Sequence, residues 1–230
     1  MSPLIEAGRL QGKKTVSLAR WLIGKHLVRR YEDGRIDARM IVETEAYHGE
    51  SDLACHARAG RTKRTEVLYA AGGIWYVYLC YGIHEMLNVV AGPRDWPAAI
   101  LIRGVEGAIG PGRVTKALGI DRRLNARAAA ESSGLWLEDR GVRLPRGAIR
   151  VTPRIGVDYA GPIWSMKHWR FTLEPRAPTS PRAARRPAKS NSTPFPGAAR
   201  AHKATAAPTS PDPSGRTTAR KARRRPLRGG

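Results

Sequence analysis

The sequence predicts an α+β fold: one domain of ordinary size, followed by a basic tail with no core of its own. Short β-branched runs outnumber helical ones and do not alternate strictly with them, which argues against a doubly wound parallel sheet. At 230 residues the chain suits a single hydrophobic core with an appendage. Composition changes sharply near Leu173, which sets the expected boundary between a folded part, 1–173, and a tail, 174–230.

Residues 15–23 carry apolar side chains at helical spacing and are followed by Gly24, a stop signal, so a short helix opens the domain. Residues 25–31 and 35–45 read as strands joined by Glu32-Asp33-Gly34, a hairpin turn in which glycine accepts a positive φ. Further strands are predicted over 74–80, 87–90 and 98–105. Gly110-Pro111-Gly112 then introduces a helix over 113–118 that Gly119 ends, with proline near its start and glycine near its end. Strands over 135–137, 149–152 and 170–173 complete the folded part.

Beyond Leu173, 57 residues hold ten of the 17 prolines but only Phe195 and Leu227 as large apolar side chains. Fourteen Lys and Arg stand there against Glu174 and Asp212, a net of +12, which leaves +10 of the total +22 to the folded part. The tail is expected to be extended, disordered coil, serving as an electrostatic tether or, through Arg223-Arg224-Arg225, as an address signal. So basic a chain is expected to partner nucleic acid, with a membrane surface the weaker alternative. No stretch reaches the roughly 18 to 20 apolar residues of a membrane span, and residues 1–9 lack a signal-peptide core. Two cysteines, Cys55 and Cys80, are too few for a disulfide framework, so a reducing, cytoplasmic setting is expected.

Val42-Glu43-Thr44-Glu45-Ala46-Tyr47 ends a β-branched run with two carboxylates, and strand geometry points Glu43, Glu45 and Tyr47 to one face. Carboxylates facing a polyanion repel it unless they do chemistry, and an ionised glutamate can take a proton from an attacking water. Strand-end glutamates bridged to arginines are the structural alternative. Tyr76-Val77-Tyr78-Leu79-Cys80-Tyr81-Gly82 alternates aromatics on one strand face and breaks at a Tyr-Gly turn. Such rings stack on bases or insert into an opened duplex, or else simply fill the core. Arg58, Arg61, Lys63 and Arg64 form a basic run suited to phosphate contact, or a solvated charged loop. His48, His56 and His84 lack the fixed spacing of a zinc site, so neither metal nor other cofactor is expected.

In their order along the chain these pieces resemble the alkyladenine (3-methyladenine) DNA glycosylase family over about residues 15–173. The resemblance rests on Leu18-Ala19-Arg20-Trp21-Leu22-Ile23-Gly24, on the two segments just described with Asn88 after them, and on Leu101-Ile102-Arg103. Gly110 to Ile120 and Thr152-Pro153-Arg154-Ile155-Gly156-Val157-Asp158-Tyr159-Ala160-Gly161 support it. It implies a curved antiparallel sheet, a hairpin pushed into the minor groove, and hydrolytic excision of damaged purines from duplex DNA. Tyr81 matches the intercalating residue, and Tyr47, His56 and Tyr78 match the base pocket. Asn88 stands where guanine is guarded against. Glu45 would activate water, Arg103 would hold that water and the carboxylate, and the main-chain carbonyl of Ile155 would complete the cradle. A monomer is implied by the same analogy. No lysine matches a Schiff-base position, which implies hydrolysis without strand cleavage. Ala70-Ala71-Gly72-Gly73-Ile74-Trp75 departs from the family's usual Pro-Gly approach to the tyrosine strand.

Two other functions fit parts of the sequence. A nonenzymatic, histone-like DNA-binding protein would account for the charge and tail but leaves Glu45 without a task. A nucleosidase or RNA-directed hydrolase would share the carboxylate and aromatic sandwich, and would prefer free nucleoside to duplex.

Overall fold

A computed structural model describes residues 4–174. The expected coil of 174–230 therefore lies, apart from Glu174, outside the described residues. Among the described residues the fold is α+β, built on one antiparallel sheet of nine strands with three short α-helices. The strands are β1 (His26–Arg30), β2 (Ile36–His48), β3 (Trp75–Cys80), β4 (His84–Val90), β5 (Ala98–Val105), β6 (Ala108–Ile109), β7 (Leu135–Glu138), β8 (Ile149–Thr152) and β9 (Arg170–Leu173). The helices are α1 (Thr15–Trp21), α2 (Pro111–Ala117) and α3 (Gly161–Ser165). Among the described residues no helix is long and apolar enough to cross a membrane.

The main path of the sheet runs β3-β4-β5-β2-β1-β7, with β9 beside β2 and β8 beside β9. The 13-residue β2 organises it. One edge pairs first with β1 and then with β9, and the other edge pairs with β5 from Ile41 to His48. Its register on β5 shifts on both sides of Glu43, a bulge of the kind that re-aims side chains beside a site.

Period-two alternation divides the sheet into a core face and a site face. Trp75 and Val77 of β3, Leu87 and Val89 of β4, Ile100 and Ile102 of β5 and Ala46 of β2 are buried together with Leu22, Val114 and Leu118 from the helical side. Thr44, on that same face, donates its hydroxyl to the carbonyl of Ala19 in α1 at 2.8 Å. The intervening residues, Glu45 and Tyr47, Tyr76 and Tyr78, Asn88, Leu101 and Arg103, line a cleft on the opposite face.

The approach to β3 is closed by backbone contact. Gly73 has φ of 102°, and Gly72 lies so near the N-terminal segment that a Cβ there would sit 2.4 Å from the carbonyl oxygen of Leu10. Main chain cannot yield as a flexible side chain does. Gly72→Ala is expected to destabilise by about 1 to 3 kcal/mol through overpacking, lowering Tm by about 2 to 12 °C. An unchanged thermal melt would contradict this packing.

Candidate active site

Glu45 lies fully buried on β2 at the floor of a cleft of about 1320 Å3. Its two oxygens are held from different directions. Tyr47, two residues along the strand, donates its hydroxyl to Oε2 at 2.9 Å, and the backbone amide of Ile155 donates to Oε1 at 2.9 Å. Arg103 Nε stands 3.6 Å from Oε1 while donating to Glu43 Oε1 at 2.9 Å. Arg170 of β9 donates to the same Glu43 oxygen at 2.6 Å. Glu43 is thus the arginine-bridged glutamate, and Glu45 the one presented to the cleft with lone pairs to spare.

Burial pushes the Glu45 carboxyl above the ordinary range; Arg103, the Ile155 amide and the Tyr47 hydroxyl oppose it, and Glu43 adds to it. Burial, reinforced by Glu45, drives the Tyr47 phenol well above its usual value, so Tyr47 stays a neutral donor.

The aromatic walls come from β2, β3 and a 3-10 turn at His56–Ala59. His56 meets Tyr78 edge-on at 4.7 Å between ring centres, and its Nδ1 lies 3.0 Å from the Tyr76 hydroxyl. Burial, with Arg64 and Arg58 nearby, lowers the His56 pKa to about 4, so the imidazole is neutral in the physiological range. Beside it, burial pushes the Cys55 thiol up to about 12, which leaves it unreactive. Asn88 is buried, and its Nδ2 donates to the carbonyl of Tyr76 at 3.2 Å, which fixes its amide against β3.

The β3–β4 hairpin carries Tyr81 at its tip, 91 % exposed. Tyr81 and Gly82 have φ of 50° and 71°, and the Ile83 amide closes the turn on the Cys80 carbonyl at 3.1 Å. Positive φ at both central residues is the demand of a type I′ turn, and for tyrosine it is a strained conformation. The basic run divides. Arg64 stands 5.7 Å from the Tyr78 ring centre and Arg58 stacks 4.6 Å from that of Tyr159, both lining the cleft. Arg61 is engaged by Glu66 and Asp95 at 3.0 Å each, and Lys63 is exposed.

The structure thus gathers Glu45, Arg103, Tyr47, His56, Tyr78, Asn88, Ile155 and Tyr81 around one cleft, with Arg58 and Arg64, and leaves Arg61 and Lys63 outside its lining. At Ile155 the backbone amide meets Glu45. Sequence reasoning gave no role to Asp52, which forms a fully buried ion pair with Arg154 at 2.6 Å. The available signal was a lone acid before the apolar Leu53-Ala54-Cys55, in a loop too irregular for a periodicity argument. Tyr159, whose hydroxyl donates to the Ala54 carbonyl at 3.0 Å, was likewise missed. Among the described residues no three His, Cys, Asp or Glu form a group that could hold a metal ion.

A buried carboxylate with lone pairs to spare beneath aromatic walls is a group that can take a proton from water, as a hydrolase requires. Residues 9–108 and 106–177 match the sequence model of the methylpurine-DNA glycosylase family. Three bacterial relatives carry the name "Putative 3-methyladenine DNA glycosylase". That of Psychrobacter cryohalolentis is 44% identical, over 68% of this chain and 85% of its own. That of an Anaeromyxobacter species, strain Fw109-5, is 42% identical over 78% and 96%. That of Chlamydia pneumoniae is 40% identical over 70% and 90%. The chain belongs to the methylpurine-DNA glycosylase family and is a hydrolase of N-glycosyl bonds in the repair of alkylated DNA.

Proposed function

We propose that the protein flips a damaged purine out of duplex DNA into this cleft and hydrolyses its N-glycosidic bond without cutting the strand. The observation that carries the reading is Glu45, a buried carboxylate held at both oxygens by fixed donors at the floor of an aromatic cleft. Alkylation at a ring nitrogen makes the purine cationic and a good leaving group, so most of the task is to place water at the sugar carbon. Glu45 takes that water's proton, while Arg103 and the Ile155 main chain hold the water and the carboxylate.

Tyr47 and Tyr78 face the two sides of the extruded base, and cation–π attraction of about 0.5 to 2 kcal/mol favours a cationic base over a neutral one. A neutral His56 donates to the base or its backbone without repelling its charge. Asn88 crowds the exocyclic amino group of guanine. Tyr81 fills the gap left in the stack, and flipping costs least for damaged or mispaired bases. Arg58, Arg64 and Lys63 hold phosphates. Lys116, the one lysine lining the cleft among the described residues, is on α2 rather than on the strands carrying Glu45 and the tyrosines, which supports hydrolysis over Schiff-base chemistry. The enzyme acts as a monomer in a reducing, DNA-containing compartment, its basic tail steepening the salt dependence of binding.

The test is release of free base from methylated and hypoxanthine-containing duplex, with free nucleoside as the competing substrate. Release from duplex, with strands that break only after alkali, is expected; preference for nucleoside, or nicking without alkali, would overturn the reading. Because protonation of Glu45 removes the base, kcat/KM is expected to fall as pH drops through a midpoint above 4.5, the ordinary value. A limb at or below that value would reject Glu45. Tyr81→Ala is expected to weaken duplex binding by about 1 to 3 kcal/mol, the worth of one stacked ring. Unchanged affinity for damaged duplex in a gel-shift titration would reject insertion.

A further inference from the structure

Arg154 is buried without any use in the reaction as described above. Its guanidinium forms a two-pronged pair with Asp52, at 2.6 Å from Nη1 and 2.9 Å from Nη2, and both side chains are wholly enclosed. Nη1 also donates to the Ala46 carbonyl at 2.9 Å and Nη2 to the Trp164 carbonyl at 3.2 Å. The guanidinium carbon lies 4.9 Å from the Tyr47 ring centre and 5.0 Å from that of Trp169. Asp52 in turn accepts from the amides of His48 and Ala54, at 3.1 and 3.0 Å.

A buried ion pair is a poor device for stability alone, since an apolar pair of similar volume often serves as well. The Nε of Arg154 finds no partner among the described residues, which makes the pair costlier still. Its geometry instead serves Glu45. Arg154 grips Ala46, between Glu45 and Tyr47, backs the Tyr47 ring, and is the residue immediately before Ile155. The donors on the two oxygens of Glu45 are the Tyr47 hydroxyl and the Ile155 amide.

We propose that Arg154, locked by Asp52, is a positioning residue for base excision that holds the Tyr47 hydroxyl and the Ile155 amide on the two oxygens of Glu45. The proposal rests on Glu45 being the general base. Besides these donors, Glu45 faces Glu43 on its own strand, Arg103 from β5 and, at longer range, the charge of Arg154 itself, with Arg170 of β9 acting through Glu43. Neither Arg103 nor Arg170 is tied to Arg154, so Arg154→Lys slackens the two hydrogen bonds with every charge in place, whereas the double variant also removes the charge of Arg154 that acts on Glu45. Both bonds favour the ionised carboxylate, so their loss makes Glu45 easier to protonate.

The experiment is single-turnover base release from methylated duplex as a function of pH, by wild type, Glu45→Gln, Arg154→Lys and the double variant Asp52→Asn/Arg154→Met. The double variant removes both charges and is expected to melt cooperatively, to release base at least tenfold more slowly at neutral pH, and to show its acid limb displaced upward. Arg154→Lys keeps the charge but loses the fork, and is expected to shift rate and limb in the same directions by less. It decides the question if the double variant does not fold. A folded variant that is slower with the wild-type limb has only a structural defect, and a folded variant with wild-type rate and limb has none; either result overturns the proposal. Wild-type release by Glu45→Gln would instead overturn the reading on which it rests.

Discussion

Asp52→Ala is expected to lower the stability of the folded unit by about 3 to 5 kcal/mol, the cost of leaving one member of a buried pair without its partner. For a domain of this size that corresponds to a fall in Tm of about 6 to 20 °C. The charge left behind is Arg154, whose side chain has no exposed surface through which to reach water. The same substitution takes the acceptor from the His48 and Ala54 amides, so a stretch next to Tyr47 loses its anchor along with the ion pair. An exposed pair such as Arg123 with Asp121 has little to lose by comparison, because solvent takes up either charge. A thermal melt of Asp52→Ala that coincides with wild type would show that solvent reaches Arg154 and that the pair is not buried in solution.

The larger expected effect on chemistry is that of Glu45→Gln. The amide keeps the shape of the side chain and can still accept from the Ile155 amide through its oxygen, but it cannot take a proton from water. General-base catalysis contributes about 10²- to 10⁴-fold, and a loss of that size in single-turnover release is expected. Binding is expected to persist, because Glu45 is buried at the floor of the cleft, whereas Tyr81, Arg58 and Arg64, which the proposal gives to duplex contact, lie at the exposed hairpin tip and in the cleft lining. Removal of an anion from a site that receives a polyanion is, if anything, favourable to binding. The partial activity left in the variant would measure what the aromatic walls and the departing cationic base contribute unaided.

Much of this site could be read from sequence because it lies on strands, where spacing of two fixes the face. Glu43, Glu45 and Tyr47 on β2, and Tyr76 and Tyr78 on β3, share a face for that reason. The Tyr81-Gly82 turn was legible from glycine chemistry, and α1 and α2 from their flanking Gly24 and Gly110-Pro111. Bounds were less so: β2 runs to His48, beyond the carboxylates, because pairing with β5 continues to Ala98, a partner invisible to local pattern. The helix α3 escaped notice since Gly161-Pro162 reads as a turn and only five residues follow the helical path. Strand spacing alone does not tell Glu43 from Glu45, because Arg170, which claims Glu43, is 127 residues away. Asp52 and Arg154 are 102 residues apart and meet only once β2 and the segment after β8 are brought together. Pairs of that separation carry no periodicity, and the physics that joins them is burial, which a single sequence does not reveal.

The most direct measurement is release of free base from methylated duplex DNA by wild type and Glu45→Gln side by side, with duplex affinity measured on the same preparations. Release by wild type that collapses in the variant while affinity is retained is the expected result and identifies Glu45 as the group that activates water. Equal release by both proteins would contradict that role.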